Sequence, residues 1–359
     1  MEGKMRAQVF YEAEKMKLER IDIPKVMDDE VLLRVKACGI CGSDMSYYFG
    51  HSPLGTKDGK GPLVLGHEFC GDVVEVGRIP ASKGLFKPGD RVIANPMQQC
   101  NACPACAKGQ YNVCPNATIP GVGNNGGFAE YCVMKYTHIY PMPDGMTYEQ
   151  GAVVEPLACA VYGMNKLDIR MDDTVVIFGP GPIGLMMVQL AKAQGAARVI
   201  MTGRRDYPLE TALAAGADAV VNTADAYSPY YSVDLKERVR ELTGGNMADK
   251  VIVPTSAMPA LKQALDVAGN CAVIVFFGLP GPEDKIEIPA LDFITSDKRV
   301  FFSWLAPLTW PEAISAISSG KVKTATLITH RFPLEDCEAG IRFMKTGSGN
   351  KIKGVVVID

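Results

Sequence analysis

Val175-Val176-Ile177-Phe178-Gly179-Pro180-Gly181-Pro182-Ile183-Gly184 is the stretch on which the reading of this chain turns. Four consecutive apolar residues suit a strand buried on both faces of a parallel sheet. A G-x-G-x-x-G pattern follows at once, and residues 185–194 continue as a helix-like segment. In that setting Gly179 permits a tight turn, Gly181 lets backbone approach a pyrophosphate, and Gly184 lets the helix pack closely on the strand. The helix opened by Pro182 and Ile183 would face the phosphates with free N–H groups and partial positive charge. A glycine-rich turn can carry the same letters. The strand before it, the helix after it and a second strand at 197–202 favour a dinucleotide site.

Outward from this unit the chain keeps alternating. Helix-like 209–215 follows, then strand-like 219–221, 251–253 and 272–277. Strands alternating with helices imply βαβ units and a parallel sheet. Upstream of Pro156 the pattern differs: short apolar runs such as Val31-Leu32-Leu33-Arg34-Val35 are broken by many glycines and prolines, as in a barrel-like β domain. After about Pro289 the alternation stops, and the C-terminal run Gly354-Val355-Val356-Val357-Ile358 most simply returns to the first domain. The expected organisation is α/β: residues 156–294 as a doubly wound Rossmann domain, with 1–155 and 295–359 as a β-rich domain. No internal repeat is visible.

The end of the second strand bears on the cofactor. NAD sites usually carry an acidic residue there for the ribose hydroxyls. Here Met201-Thr202 leads into Gly203-Arg204-Arg205, and a guanidinium fork suits a 2′-phosphate. NADP is therefore favoured over NAD. The alternative is that both arginines lie on a solvated loop and that Asp206 turns inward to the ribose.

Two groups of residues have metal-ligand character. Cys100, Cys103, Cys106 and Cys114 follow the spacing C-x2-C-x2-C-x7-C. Four thiolates can close a tetrahedral shell around a structural zinc with no open position; an iron–sulfur cluster is the competing reading. The second group is dispersed: Cys41, the pair His67-Glu68, and Glu155 just before Pro156. One sulfur, one nitrogen and one or two carboxylates make a mixed shell of the catalytic kind, with a position open for water or substrate. Taken singly, each is more often a buried structural side chain than a ligand.

Taken together, Gly39-Ile40-Cys41-Gly42-Ser43-Asp44, Gly66-His67-Glu68-Phe69-Cys70-Gly71 with Gly77, Gly89-Asp90-Arg91-Val92, the cysteine quartet, Glu155-Pro156 and the nucleotide fingerprint resemble the zinc-containing medium-chain alcohol dehydrogenase family, in its sorbitol (polyol) dehydrogenase-like branch. The resemblance spans essentially the whole chain. It implies a GroES-like catalytic domain formed by the two chain ends, a Rossmann domain inserted between them, an active site in the cleft, and a homodimer or homotetramer. It also implies roles: Cys41 and His67 as zinc ligands, Glu68 as a direct or exchangeable ligand, Glu155 near the metal through water, and Asp44 orienting a ligand. The implied reaction interconverts a secondary alcohol and its ketone by hydride transfer with NAD(P). Zinc lowers the alcohol's pKa, and Ser43 takes the substrate proton. Two positions depart from the pattern. Ser46 stands where many relatives carry a relay histidine, and Phe302, in Arg299-Val300-Phe301-Phe302-Ser303-Trp304, stands where polyol dehydrogenases carry a substrate-gripping arginine, unless a shifted register restores Arg299. Phe302 and Trp304 read equally as core aromatics or as pocket walls.

Bulk composition agrees. With 359 residues the chain is long enough for two domains. A net charge of −3 gives no basic footprint for nucleic acid. No apolar stretch reaches the length of a membrane helix, and residues 1–6 lead into no signal-peptide core, so a cytoplasmic protein is expected. The scattered cysteines Cys38, Cys70, Cys132, Cys159, Cys271 and Cys337 read as small buried hydrophobes. Two further functions are considered. A zinc-free quinone or enoyl reductase of the same fold would lack Cys41, His67 and the quartet, and a non-catalytic member would not need Ser43.

Overall fold

In the computed structural model the chain is described over residues 2–52 and 61–359. It divides into two units. The first comprises Met1–Pro156, Trp310–Ser318 and Thr324–Asp359, the second Leu157–Thr309 and Ser319–Lys323. Along the chain the first unit holds strands β1 (Lys4–Glu12), β2 (Lys15–Asp22), β3 (Glu30–Gly39), β4 (Leu63–Val64), β5 (Glu68–Val76), β6 (Arg91–Ala94), β7 (Tyr131–Lys135) and β8 (Ile139–Pro141). The second holds β9 (Thr174–Phe178), β10 (Arg198–Gly203), β11 (Ala219–Asn222), β12 (Ala248–Val253), β13 (Ala268–Phe276) and β14 (Arg299–Phe302). Strands β15 (Ile328–Pro333) and β16 (Lys353–Val357) belong to the first unit again.

The six strands of the second unit form one sheet in the order β11-β10-β9-β12-β13-β14. Every neighbouring pair is parallel. Counted from β9 this is the 3-2-1-4-5-6 order of a Rossmann sheet. β9 lies between β10 and β12 and is buried along its whole length, which is why its sequence is apolar without alternation. Val176, Phe178, Ile200, Val221, Val251 and Ile274 share its core.

The first unit is mainly antiparallel. One sheet runs β15-β16-β3-β5-β6-β8 with β7 also paired to β3, and a second runs β2-β1-β4. Val31, Leu33 and Val35 of β3 alternate into a core with Leu65, Phe69 and Phe128. β16 pairs antiparallel with β3, so the C-terminal apolar run does land in the first unit.

Three expectations need correction. The second boundary falls at Thr309–Trp310 rather than at 294/295, because the helix Ala290–Thr295 and β14 extend the alternation and β14 pairs parallel with β13, Val273 against Arg299. Leu291 and Ile294 of that helix are exposed, so its apolar residues gave no inward-facing pattern to read. The first boundary lies one residue later than expected, inside the helix Val154–Asn165. Among the scattered cysteines, Cys38, Cys70, Cys132 and Cys337 are buried, but Cys159 is half-buried and Cys271 is exposed. Cys271 sits at φ +58 where the β12–β13 ladder breaks between Ala268 and Val273. No helix among the described residues is long and apolar enough to cross a membrane.

Candidate active site and metal centres

The dispersed group is assembled by strand register. In the β3–β5 ladder Gly39 stands opposite Glu68, which carries the chain end beyond β3 to the start of β5. Cys41 then caps the helix Gly42–Tyr48 in an extended conformation, φ −86 and ψ 157. The ligand-type atoms of Cys41, His67 and Glu68 all lie within 4.8 Å of one another.

Asp44 is fully buried beneath them. Its Oδ2 accepts the Cys41 N–H at 2.9 Å and its Oδ1 the Gly66 N–H at 3.3 Å. Oδ1 also lies 3.5 Å from His67 Nδ1. The opposite ring nitrogen, Nε2, is 3.5 Å from Ser43 Oγ. Burial presses the His67 pKa down, yet the charges of Asp44 and then Cys41 hold it well above its ordinary value. The pocket is negative and calls for a cation.

Glu68 and a residue not foreseen complete the picture. Lys353 Nζ donates to Glu68 Oε2 and, at 3.0 Å, to the Ile40 carbonyl. Burial works against the Lys353 ammonium, but Glu68 and then Cys41 raise its pKa above the usual lysine value. The other carboxylate oxygen, Glu68 Oε1, is buried with no hydrogen-bond partner. A buried carboxylate oxygen without a partner, beside a thiol and an imidazole, fits a bound metal ion. Glu155 is buried near the start of the helix Val154–Asn165. It lies outside the 4.8 Å group, although its charge is felt at Lys353. Ser46 donates to the Gly42 carbonyl at 3.0 Å, a backbone tie within its own helix.

The quartet is equally well formed. Cys103 Sγ lies 3.5 Å from Cys106 Sγ and 3.8 Å from Cys114 Sγ, which in turn lies 3.6 Å from Cys100 Sγ. A tetrahedron with metal–sulfur bonds of about 2.3 Å requires sulfurs ~3.8 Å apart. The spacing is too long for a disulfide and too tight to enclose a multi-iron cluster. The Ala102 N–H, foremost, pulls the Cys100 thiol down to about 6, whereas burial pushes Cys106 up to about 12. The flank is set by His138, whose Nε2 meets Gln99 Oε1 at 2.7 Å and whose Nδ1 meets Thr137 Oγ1 at 2.9 Å.

In the second unit, Gly179 adopts φ +99 and Gly181 caps the helix Pro182–Ala193. Ile183 lies in the first turn of that helix. A Cβ on Gly184 would fall 2.1 Å from the Gly179 carbonyl oxygen, and one on Gly203 would fall 2.7 Å from Pro180 Cγ. An acidic side chain at 203 would therefore collide with the fingerprint turn. Asp206 is occupied elsewhere, accepting from Asn222 Nδ2 at 2.7 Å and Ser228 Oγ at 2.6 Å. Arg204 and Arg205 are exposed at the head of the helix Asp206–Ala214. Phe302 is exposed and tilts against Phe276.

A mixed open donor set, a closed thiolate set and a Rossmann sheet define a zinc-binding dehydrogenase. Residues 27–144 match the alcohol dehydrogenase GroES-like domain and residues 182–319 the zinc-binding dehydrogenase domain. The chain belongs to the zinc-containing medium-chain dehydrogenases, in their sorbitol dehydrogenase-like branch, and is an oxidoreductase of alcohols. It is 32% identical to a sorbitol dehydrogenase of Bombyx mori over 96% of this chain and 97% of the relative. It is 35% identical to the D-arabitol-phosphate dehydrogenase of Enterococcus avium over 94% and 92%. The structure of 2R,3R-butanediol dehydrogenase from Bacillus subtilis superposes with a TM-score of 0.88 at 27% identity, covering 99% of this chain and all of that one.

Proposed function

We propose that this enzyme interconverts a secondary alcohol of the polyol, sugar or amino-alcohol class and its ketone, with NADP preferred over NAD. The observation that carries the reading is the Cys41–His67–Glu68 group with its orphaned Glu68 oxygen. These three would hold the catalytic zinc, with Glu155 acting nearby through water. Cys100, Cys103, Cys106 and Cys114 would hold a structural zinc. Sorbitol, arabitol phosphate and butanediol, the compounds for which the relatives are named, all carry secondary hydroxyls.

Zinc, when bound, supplies Lewis acidity to the substrate oxygen, and the dinucleotide supplies the hydride acceptor or donor. The chain's own residues do the rest. Asp44 Oδ1, 3.5 Å behind His67 Nδ1, would orient the ring by its charge so that Nε2 is presented to the donor group. The Ser43 hydroxyl, 3.5 Å from that nitrogen, would hold the alcohol's proton and pass it outward. Because the Ser46 hydroxyl donates to its own helix backbone, water or another group would carry the proton onward. Gly179, Gly181 and Gly184 shape the pyrophosphate cradle, with Pro182 and Ile183 opening its helix.

The NADP preference rests on three observations. Pro180 leaves no room for an acid at 203, Asp206 is tied to Asn222 and Ser228, and Arg204 and Arg205 are exposed directly after β10, guanidinium groups of the kind that suit a 2′-phosphate. A homodimer or homotetramer is supported by β14, which among the described residues pairs only with β13, and by the exposure of Phe302 and of Leu291, Ile294 and Leu308 in the flanking sequence. A cytoplasmic setting is supported by the clustered thiols of Cys100, Cys103, Cys106 and Cys114, which a reducing compartment would keep available to a metal.

Initial rates on polyols, sugars, amino-alcohols and simple secondary alcohols, each with NAD and NADP and with and without chelator pretreatment, test the reading. Turnover that prefers NADP and disappears with zinc is expected. Turnover that persists in zinc-free protein would overturn the mechanism, and a preference for NAD would overturn the arginine assignment alone.

A further inference from the structure

Lys353 opens β16 and is one of the most deeply buried charged side chains in the molecule, 3% exposed. No step described above uses it. Its ammonium bridges two parts of the active site, the Ile40 carbonyl immediately before Cys41 and the Oε2 of Glu68. Room for this bridge is made at Gly39. A Cβ there would fall 2.0 Å from Glu68 Oε2 and 3.1 Å from Lys353 Cε. One oxygen of Glu68 is thus tied to a cation of the protein, while the other is buried without a partner.

Resting on the reading of Cys41, His67 and Glu68 as a zinc site, we propose that Lys353 is a positioning residue that competes with the metal for Glu68 and keeps that carboxylate an exchangeable donor. The argument is electrostatic and geometric. A carboxylate between two cations divides its charge between them, so each weakens its hold on the other. A donor held from behind can leave the metal when substrate oxygen arrives and return when product departs, without ever becoming an unpaired buried anion. Removing the ammonium leaves Glu68 one partner. The carboxylate then settles on the metal, closes the position that a catalytic site keeps open, and holds the ion more tightly. A purely structural lysine predicts the reverse, a loosened pocket that loses its metal faster.

The test is zinc release from purified holoenzyme into excess chelator, read with a colorimetric zinc indicator. The phase assigned to this site is the one missing from Cys41→Ser. Lys353→Met should slow that phase by tenfold or more and lower kcat. Lys353→Arg, and the double variant Lys353→Met with Glu68→Gln, should release zinc within about threefold of the parent rate. Thermal melting confirms folding, and Lys353→Gln serves the same purpose if the methionine variant does not fold. Release that is unchanged or faster in Lys353→Met, or equally slow in the double variant, overturns the proposal alone. The absence of any Cys41-dependent phase overturns the zinc reading and this inference with it.

Discussion

The two donor clusters of the first unit are built in opposite ways. The quartet lies within residues 100–114, on a loop whose regular structure is one short helix, Pro104–Ala107, and one 3-10 turn, Tyr111–Val113. Its apolar packing is a satellite of Cys103, Cys106 and Cys114, with Cys100, Ala105, Tyr111 and Ala117 around them. The other cluster draws Cys41, His67 and Glu68 onto the rims of β3 and β5, beside a continuous core that includes Cys38, Ile40, Leu65 and Phe69. In the first case so little apolar surface is buried that an ion bound there would hold the loop. In the second the strands hold the donors in place, and a bound ion would be free to come and go.

Opposite consequences of ligand loss follow from this difference, and they are the largest effects expected. Cys106→Ser should cost the quartet its metal and most of the order of residues 100–114. Structural zinc sites contribute on the order of 10 kcal/mol to folding, so a melting temperature lowered by tens of degrees and rapid proteolysis in that loop are the expected readings. Cys41→Ser should leave the melting temperature within a few degrees of the parent while turnover falls by about 1,000-fold or more. If the two variants melt alike, the contrast between an ion that holds the fold and a fold that holds the ion is broken.

The same difference decides what could be read from sequence. The quartet is a local pattern, and its spacing alone predicts a closed shell. The fingerprint Gly179–Gly184 is local too, and β9 is legible because a strand buried on both faces must be apolar throughout. Cys41 and His67 come together through the pairing of Gly39 with Glu68, a register that no short pattern encodes; only the family resemblance pointed to them. Lys353 is 285 residues from Glu68, and a lysine at the head of an apolar strand ordinarily reads as a solvated end. β14 escaped notice for another reason. Edge position leaves Phe301 and Phe302 exposed, so its burial pattern resembles a loop.

Acid should test the quartet region through His138. Burial, followed by the charge of Lys135, lowers its pKa to about 4, against about 6.5 in an unfolded chain. Between those values the unfolded state takes up a proton that the folded state refuses. Stability is therefore full above about pH 6.5 and falls as pH drops towards 4, by about 3 kcal/mol in all. Urea midpoints measured from pH 7 to 4 should show this slope, reduced by one proton in His138→Gln. An unchanged slope in that variant would mean that the imidazole between Gln99 and Thr137 contributes no acid sensitivity.

The smallest expected effect bears on the mobile-ligand side of the contrast. Asp44 lies outside the Cys41–His67–Glu68 donor group; it holds the Cys41 and Gly66 backbones and faces the back of His67. Asp44→Asn preserves its shape but gives up the charge that orients the ring. Substitutions of this kind cost about 10- to 100-fold in metal affinity. Chelator titration should therefore find one zinc per chain weakened by that factor and the quartet zinc unchanged. Equal weakening of both ions would mean that Asp44 supports the domain as a whole, and the two clusters would no longer be independent.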